Sequence, residues 1–474
     1  MLKKFLITFL FLSAGILAQS KIEKLKKEID EVINDPFFIH TQIAIDVYDV
    51  KSDEHLYHHN NKLLFTPASN MKLLTTAAAL TYLGRDYIFQ TSLYHTGIIE
   101  NDTLYGDLYI AGGFDPDFTT NDLDSIIQSV KSLGIKIVTG NLYADISIKD
   151  SLYWGKGWMW DDNPDPGAPY LSSLNINDNS IEVFVEAAKV GSPGKIILTP
   201  ETKYVEVENN SVTVSSSDET DLKITRDWVN GKNKIIIDGK VRTGSIKDSS
   251  DQKEKVNLIN PYLYFLTLFR EHLAANDISV NGESKKSHLP ENSVYLSSFN
   301  RRMDSVVVHL NKESDNLSAE MLIYALALND SGVPASAKNG IQALKNLIDS
   351  LGLDPDDYNL ADGSGVSRYN LVSAELLVNL LKYMYKTPNY VLYFMSLPVA
   401  GKDGTLKKRM KDSPAKENVF AKTGTLEGVS ALSGYVRAKN NKLLAFSMMI
   451  QNYVGKSSAA RKFLDRICEI LIDY

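Results

Sequence analysis

Apolar residues recur at helical spacing at Ile22, Leu25, Ile29 and Val32, and Gln42 to Val50 then alternates apolar and polar as a half-buried strand does. A turn around Lys51 to Glu54 leads to a second strand. The polar stretch His58 to Lys62 leads into a helix from about Pro67 to Leu83, stopped by Gly84. The far end of the chain mirrors this order. Asn418 to Leu426, Val429 to Lys439 and Leu443 to Gln451 read as consecutive antiparallel strands, followed by an amphipathic helix from about Ser457 to the C-terminus. Helices from both ends packing on one antiparallel sheet is the α+β arrangement this pattern predicts. Between Phe89 and Asn257 the chain breaks into short strand-like runs, such as Ile181 to Val185, Lys203 to Val207 and Lys234 to Ile237, divided by Gly, Pro, Asn and Asp. That stretch reads as a β-rich insertion. Helical runs at Leu317 to Leu328 and Lys338 to Ser350 suggest that the first domain then resumes. The expected organisation is therefore a leader at 1–18, a first domain at 19–88 and 258–474, and an insertion at 89–257.

With 474 residues, 44% hydrophobic and 23% charged, the chain can bury more than one core. A formal net charge of -7, with lysines and acids interspersed, gives no basic footprint for nucleic acid. The first residues read as an export signal: Lys3 and Lys4, an apolar stretch from Phe5 to Leu12, and small residues at Ala14, Gly15 and Ala18. That stretch is short against the roughly 20 apolar residues a span requires. A cleaved, exported protein with no transmembrane segment in its mature chain is expected. Cys468 is the sole cysteine and shares a helical face with Phe463, Leu464, Ile467 and Leu471, where it reads as a core thiol. His55, His58 and His59 lie in a polar stretch without further ligands, so no metal is expected.

The sharpest chemical feature is Thr66-Pro67-Ala68-Ser69-Asn70-Met71-Lys72, which opens an apolar helical run. With Thr66 as N-cap and Pro67 as first helical residue, Ser69 falls in the first turn, where backbone N–H groups lack helical acceptors and can meet an oxyanion. Lys72 lies on the same face. It can take the serine proton only when neutral. Lowering a lysine from ~10.4 to the ~7–8 that suits a base costs roughly 3–5 kcal/mol. Ser-x-x-Lys alone is weak, since Ser192 to Lys195, Ser250 to Lys253 and Ser413 to Lys416 repeat it in loop-like segments.

Two further elements raise its weight. Ser314-Asp315-Asn316 supplies a hydroxyl for proton relay and an amide for a substrate carbonyl, though the triplet is equally a good helix cap. Lys422-Thr423-Gly424-Thr425 lies on a strand, with Lys422 and Gly424 on one face and Thr423 and Thr425 on the other. Such a strand offers a cation and hydroxyls to a carboxylate, and glycine admits close approach. Ser-x-x-Lys, Ser-x-Asn and Lys-Thr-Gly in this order form the motif set of serine β-lactamases and penicillin-binding proteins.

The flanking segments Asp362-Gly363-Ser364-Gly365-Val366-Ser367-Arg368 and Gly401-Lys402-Asp403-Gly404-Thr405-Leu406 narrow the match, with echoes at Trp158 to Asp162 and Asn177 to Asn179. Over nearly the whole mature chain the sequence resembles the low-molecular-mass class C penicillin-binding proteins, the D-alanyl-D-alanine carboxypeptidase/endopeptidase family. It departs from them in the turn Gly112 to Phe118. The resemblance implies a serine β-lactamase/transpeptidase-like fold, an envelope or periplasmic location, peptidoglycan peptides and β-lactam antibiotics as partners, and no cofactor. It implies Ser69 as nucleophile, Lys72 as base, Ser314 as relay, Asn316 on the substrate amide, and Lys422, Thr423 and Thr425 on the terminal carboxylate. A β-lactamase is the nearest alternative; an inactive wall-binding protein is another. Asp362 to Gly365 is not a nucleophile elbow and reads as a turn. Trp154, Trp158 and Trp160 suit either sugar stacking or packing.

Overall fold

The computed structural model describes residues 20–244, 251–439 and 442–474. The leader expected at 1–18 lies outside them. The chain forms two compact units, the first comprising the described residues up to Arg85, Val307–Asp315 and Ile341–Tyr474, the second Asp86–Val306 and Asn316–Gly340.

The first unit is built on a five-stranded antiparallel sheet in the order Val419–Leu426, Val429–Arg437, Leu443–Gln451, Gln42–Asp49 and Glu54–His59. The two ends of the chain meet at its centre, where Gln42 pairs with Gln451 and Asp49 with Leu444. Leu25 and Ile29 from the first helix and Ala460, Leu464, Ile467, Cys468 and Leu471 from the last, Ser457–Asp473, form one core with the sheet. Cys468 is fully buried there, and burial pushes its thiol pKa upward, which suits an inert core thiol. The helix Ala374–Tyr385 packs on the opposite face of the sheet.

That second cover corrects one expectation. Gln42–Asp49 is buried on both faces, and its polar positions are internal. Asp46 is buried with the His55 ring at 3.3 Å and the Asn61 amide at 3.1 Å. His55, His58 and His59, read as part of a polar stretch, sit on the strand Glu54–His59.

The second unit is β-rich as expected, with a five-stranded sheet, a four-stranded one and two of three strands among its described residues. The helices Thr120–Ser132 and Pro261–Ala275 share its core with Leu108, Ile110, Ile181, Val183 and Ile235. It continues beyond the boundary anticipated at 257, because Phe265 and Phe269 pack into that core and Val294–Arg302 pairs with Ile88–His95. Helix Asn316–Ser331 belongs to it as well, and Phe114 stacks on Tyr324. Trp154 packs on Trp158 and Tyr170, whereas Trp160 lies against Trp228 with 70% of its surface exposed. Among the described residues no helix is long and apolar enough to cross a membrane.

Candidate active site

Ser69 lies in a 3-10 turn, Ala68–Asn70, and the α-helix Met71–Tyr82 starts behind it. The helix expected from Pro67 with Thr66 as its cap is thus corrected. Ala68 has φ +46, a left-handed conformation that interrupts an α-helix. A non-glycine residue held there costs of order 1–3 kcal/mol, so its surroundings must enforce it. Two glycines allow that. A Cβ on Gly365, itself at φ +85, would fall 1.9 Å from the Ala68 carbonyl oxygen. One on Gly424 would meet the Pro67 oxygen at 2.7 Å.

Lys72 is fully buried one turn on. Its Nζ lies 3.0 Å from Ser69 Oγ and donates to the Ser364 carbonyl at 2.6 Å. That carbonyl belongs to the segment read as a turn, and it is one. Its contribution to seating Lys72 escaped the sequence reading. Asp362, buried, organises the turn: its carboxylate accepts from the Gly365 N–H at 2.8 Å, the Ser367 N–H at 2.7 Å and the Asn370 amide at 2.6 Å. Behind the nucleophile, the Asn70 amide donates to Ser433 Oγ at 2.7 Å, which donates to Ser447 Oγ at 2.9 Å.

Ser314 follows the helix Met303–Glu313 and has φ +65. Its hydroxyl accepts from Lys422 Nζ at 2.7 Å, and Lys422 also donates to the Thr423 carbonyl at 3.2 Å. Lys422 has no exposed surface. Burial, and then the positive charge of Lys72, hold its ammonium well below the ordinary lysine range. Lys312 anchors this corner: its ammonium grips both Asp403 oxygens at 2.7 and 2.8 Å and the Leu397 carbonyl at 2.6 Å. The segment Gly401 to Leu406 is thereby tied to the end of the Ser314 helix. Thr405 Oγ1 accepts from Thr423 Oγ1 at 2.8 Å.

A cleft of about 360 Å³ opens over Ser69, Ser314, Thr423 and Thr425. The lysine of the Lys-Thr-Gly strand is turned toward Ser314, and the two threonines line the opening. Val419–Leu426 is an edge strand, and the Ala421 N–H points off its free side to the Pro398 carbonyl at 3.0 Å. Alternation sends the Thr423 and Thr425 N–H groups the same way. Ser69, Lys72, Ser314, Lys422, Thr423, Gly424 and Thr425 all belong to the first unit. Asn316 belongs to the second, where its amide donates to the Gly167 carbonyl at 2.5 Å.

The chain is 31% identical to a D-alanyl-D-alanine carboxypeptidase of Actinomadura sp. (strain R39), over 96% of this chain and 86% of that one. The crystal structure of penicillin binding protein 4 from Haemophilus influenzae superposes with a TM-score of 0.81 at 25% identity, covering 94% of this chain and 99% of that one. The same Haemophilus protein in complex with a β-lactam gives a TM-score of 0.76 at 24% identity, with coverage of 94% and 99%. The profile of the D-Ala-D-Ala carboxypeptidase 3 (S13) family matches residues 25–471, and the chain therefore belongs to that family.

Proposed function

We propose that this protein is a serine D,D-peptidase of the cell envelope, exported by its leader, that removes terminal D-alanine from peptidoglycan peptides and cuts D-alanyl cross-links, with Ser69 as nucleophile. The observation that carries this reading is the buried Lys72 amine at 3.0 Å from Ser69 Oγ, fixed by the Ser364 carbonyl. One Lys72 N–H is spent on that carbonyl, so in the neutral amine the lone pair is available for the serine proton. Ser69 Oγ then bonds to the carbonyl carbon of the penultimate D-alanine. The oxyanion is met by the Ser69 and Thr425 N–H groups. The C–N bond breaks as Ser314 Oγ passes a proton to the leaving amine and takes one in turn from Lys422 across their 2.7 Å contact. Thr423 and Thr425 receive the substrate carboxylate, and Asn316 is assigned the substrate amide on its motif. Water then releases the acyl group from Ser69. β-Lactams acylate the same hydroxyl.

Both peptidoglycan reactions break an amide after a D-alanine and place a carboxylate beside it, so one site serves both. Incubation of the purified protein with a pentapeptide muropeptide and a cross-linked dimer, followed by chromatography, tests this. Release of D-alanine and of monomer is expected. A protein that consumes neither substrate while still acylating with penicillin would contradict the proposed reaction.

A further inference from the structure

Resting on that reading of the cleft, we infer that Arg461, on the C-terminal helix, is the counter-charge that selects substrates with a free carboxylate beside the scissile bond. Lys422, the cation of the Lys-Thr-Gly strand, is fully buried, and its ammonium is engaged by Ser314 and the Thr423 carbonyl. A carboxylate entering between Thr423 and Thr425 therefore needs its positive partner from elsewhere.

Two arginines line the cleft, Arg409 and Arg461. Arg409 is already neutralised: its guanidinium forks onto Asp465, with Nε at 3.0 Å and Nη2 at 2.5 Å from one oxygen. Asp465 lies four residues after Arg461 on the helix Ser457–Asp473 and is the nearest candidate on that helix to pair with it. By binding Arg409 instead, it leaves the Arg461 charge uncompensated. The first turn of the helix carries no acid, and among the described residues no carboxylate lies within ion-pair distance of Arg461. Among the described residues its guanidinium makes one long hydrogen bond, 3.5 Å from Nη2 to Thr425 Oγ1. A guanidinium beside the Thr425 hydroxyl in the lining of the nucleophile cleft can meet an incoming carboxylate with two N–H groups at once. Ala460 and Leu464, its buried neighbours on the helix, fix the backbone that carries it.

The test compares a peptide ending in D-Ala-D-Ala with the same peptide ending in the carboxamide, on wild type, Arg461→Gln and Arg461→Lys. Wild type is expected to prefer the free acid strongly. Arg461→Gln should lose about 10²-fold in kcat/KM on the acid, as for removing one partner of a hydrogen-bonded charge pair, and keep its rate on the carboxamide, which doubles as the control for an intact site. Arg461→Lys should fall between. Equal losses on both peptides would show a merely structural residue and overturn the assignment, as would an acid preference that survives Arg461→Gln. A wild type that cleaves neither peptide would instead overturn the underlying peptidase reading, and the assignment with it.

Discussion

Replacing Asp362 tests whether the turn behind the nucleophile is a working part of the site. Its carboxylate holds three donors, the Gly365 and Ser367 N–H groups and the Asn370 amide, at 2.6 to 2.8 Å, and only 1% of its surface is exposed. Hydrogen bonds to a charged group contribute about 1.5–3 kcal/mol each. Three sharing one acceptor are not additive, and about 3–5 kcal/mol is expected for Asp362→Ala. That is a large part of a stability of about 5–15 kcal/mol. Asp362→Asn keeps one acceptor oxygen and sets its NH₂ against the remaining donor, which should cost about 1–3 kcal/mol. The turn also carries the Ser364 carbonyl that seats Lys72 and the Gly365 backbone that supports Ala68 at positive φ. A shift of about 1 Å there can cost 10²-fold in acylation. Urea unfolding gives the stabilities, and stopped-flow acylation of the folded Asp362→Asn protein gives the rate. An Asp362→Ala protein within 1 kcal/mol of wild type that acylates at the wild-type rate would refute the reasoning.

The two lysines separate by role. Lys72→Arg should abolish acylation, because a guanidinium does not release its proton to become a base. Lys422→Met should leave Ser69 and Lys72 in place but disconnect Ser314 from its donor, so acylation by a β-lactam and by a peptide should fall while remaining measurable. Equal residual rates in rapid-quench assays would contradict this division. The lowered pKa of Lys422 also makes stability depend on pH: between its folded value and ~10.4 the unfolded chain binds the extra proton, so stability rises with pH and is lost as pH falls through that window. Each unit of pH can contribute up to about 1.4 kcal/mol for one proton. Lys422→Met should flatten the dependence of urea-unfolding stability on pH below pH ~10, and dependences that stay parallel to wild type would count against the burial argument.

Much of the first unit was legible in the sequence, because its sheet is formed by segments near the chain ends whose apolar runs are bounded by clear turns. The mirrored pattern predicts one sheet shared by both ends, but that Gln42–Asp49 pairs with Leu443–Gln451 is seen only in the fold. What alternation could not convey was that polar residues of Gln42–Asp49 are buried: Asp46 sits inside because His55 and Asn61 meet it there, a fact of tertiary structure. The motif residues announced themselves by order. Their fine placement did not, since Lys422 faces Ser314 through packing that no spacing rule encodes. The positive φ at Ala68 was equally hidden, though Gly365 and Gly424 are its trace in the sequence. Arg461 lies far from every motif, and only the C-terminal helix folding back beside the edge strand brings it to Thr425. The boundary expected at 257 misplaced helix Pro261–Ala275, because a helix following a β-rich stretch does not reveal which core receives it.

Intact-mass analysis after brief exposure to benzylpenicillin tests the central claim most directly. The protein should gain the mass of one drug molecule on the peptide containing Ser69, with Ser69→Ala remaining unlabelled. Stoichiometric labelling of Ser69→Ala, or an intact folded protein that takes up no drug and hydrolyses none, would contradict the assignment of Ser69 as the nucleophile.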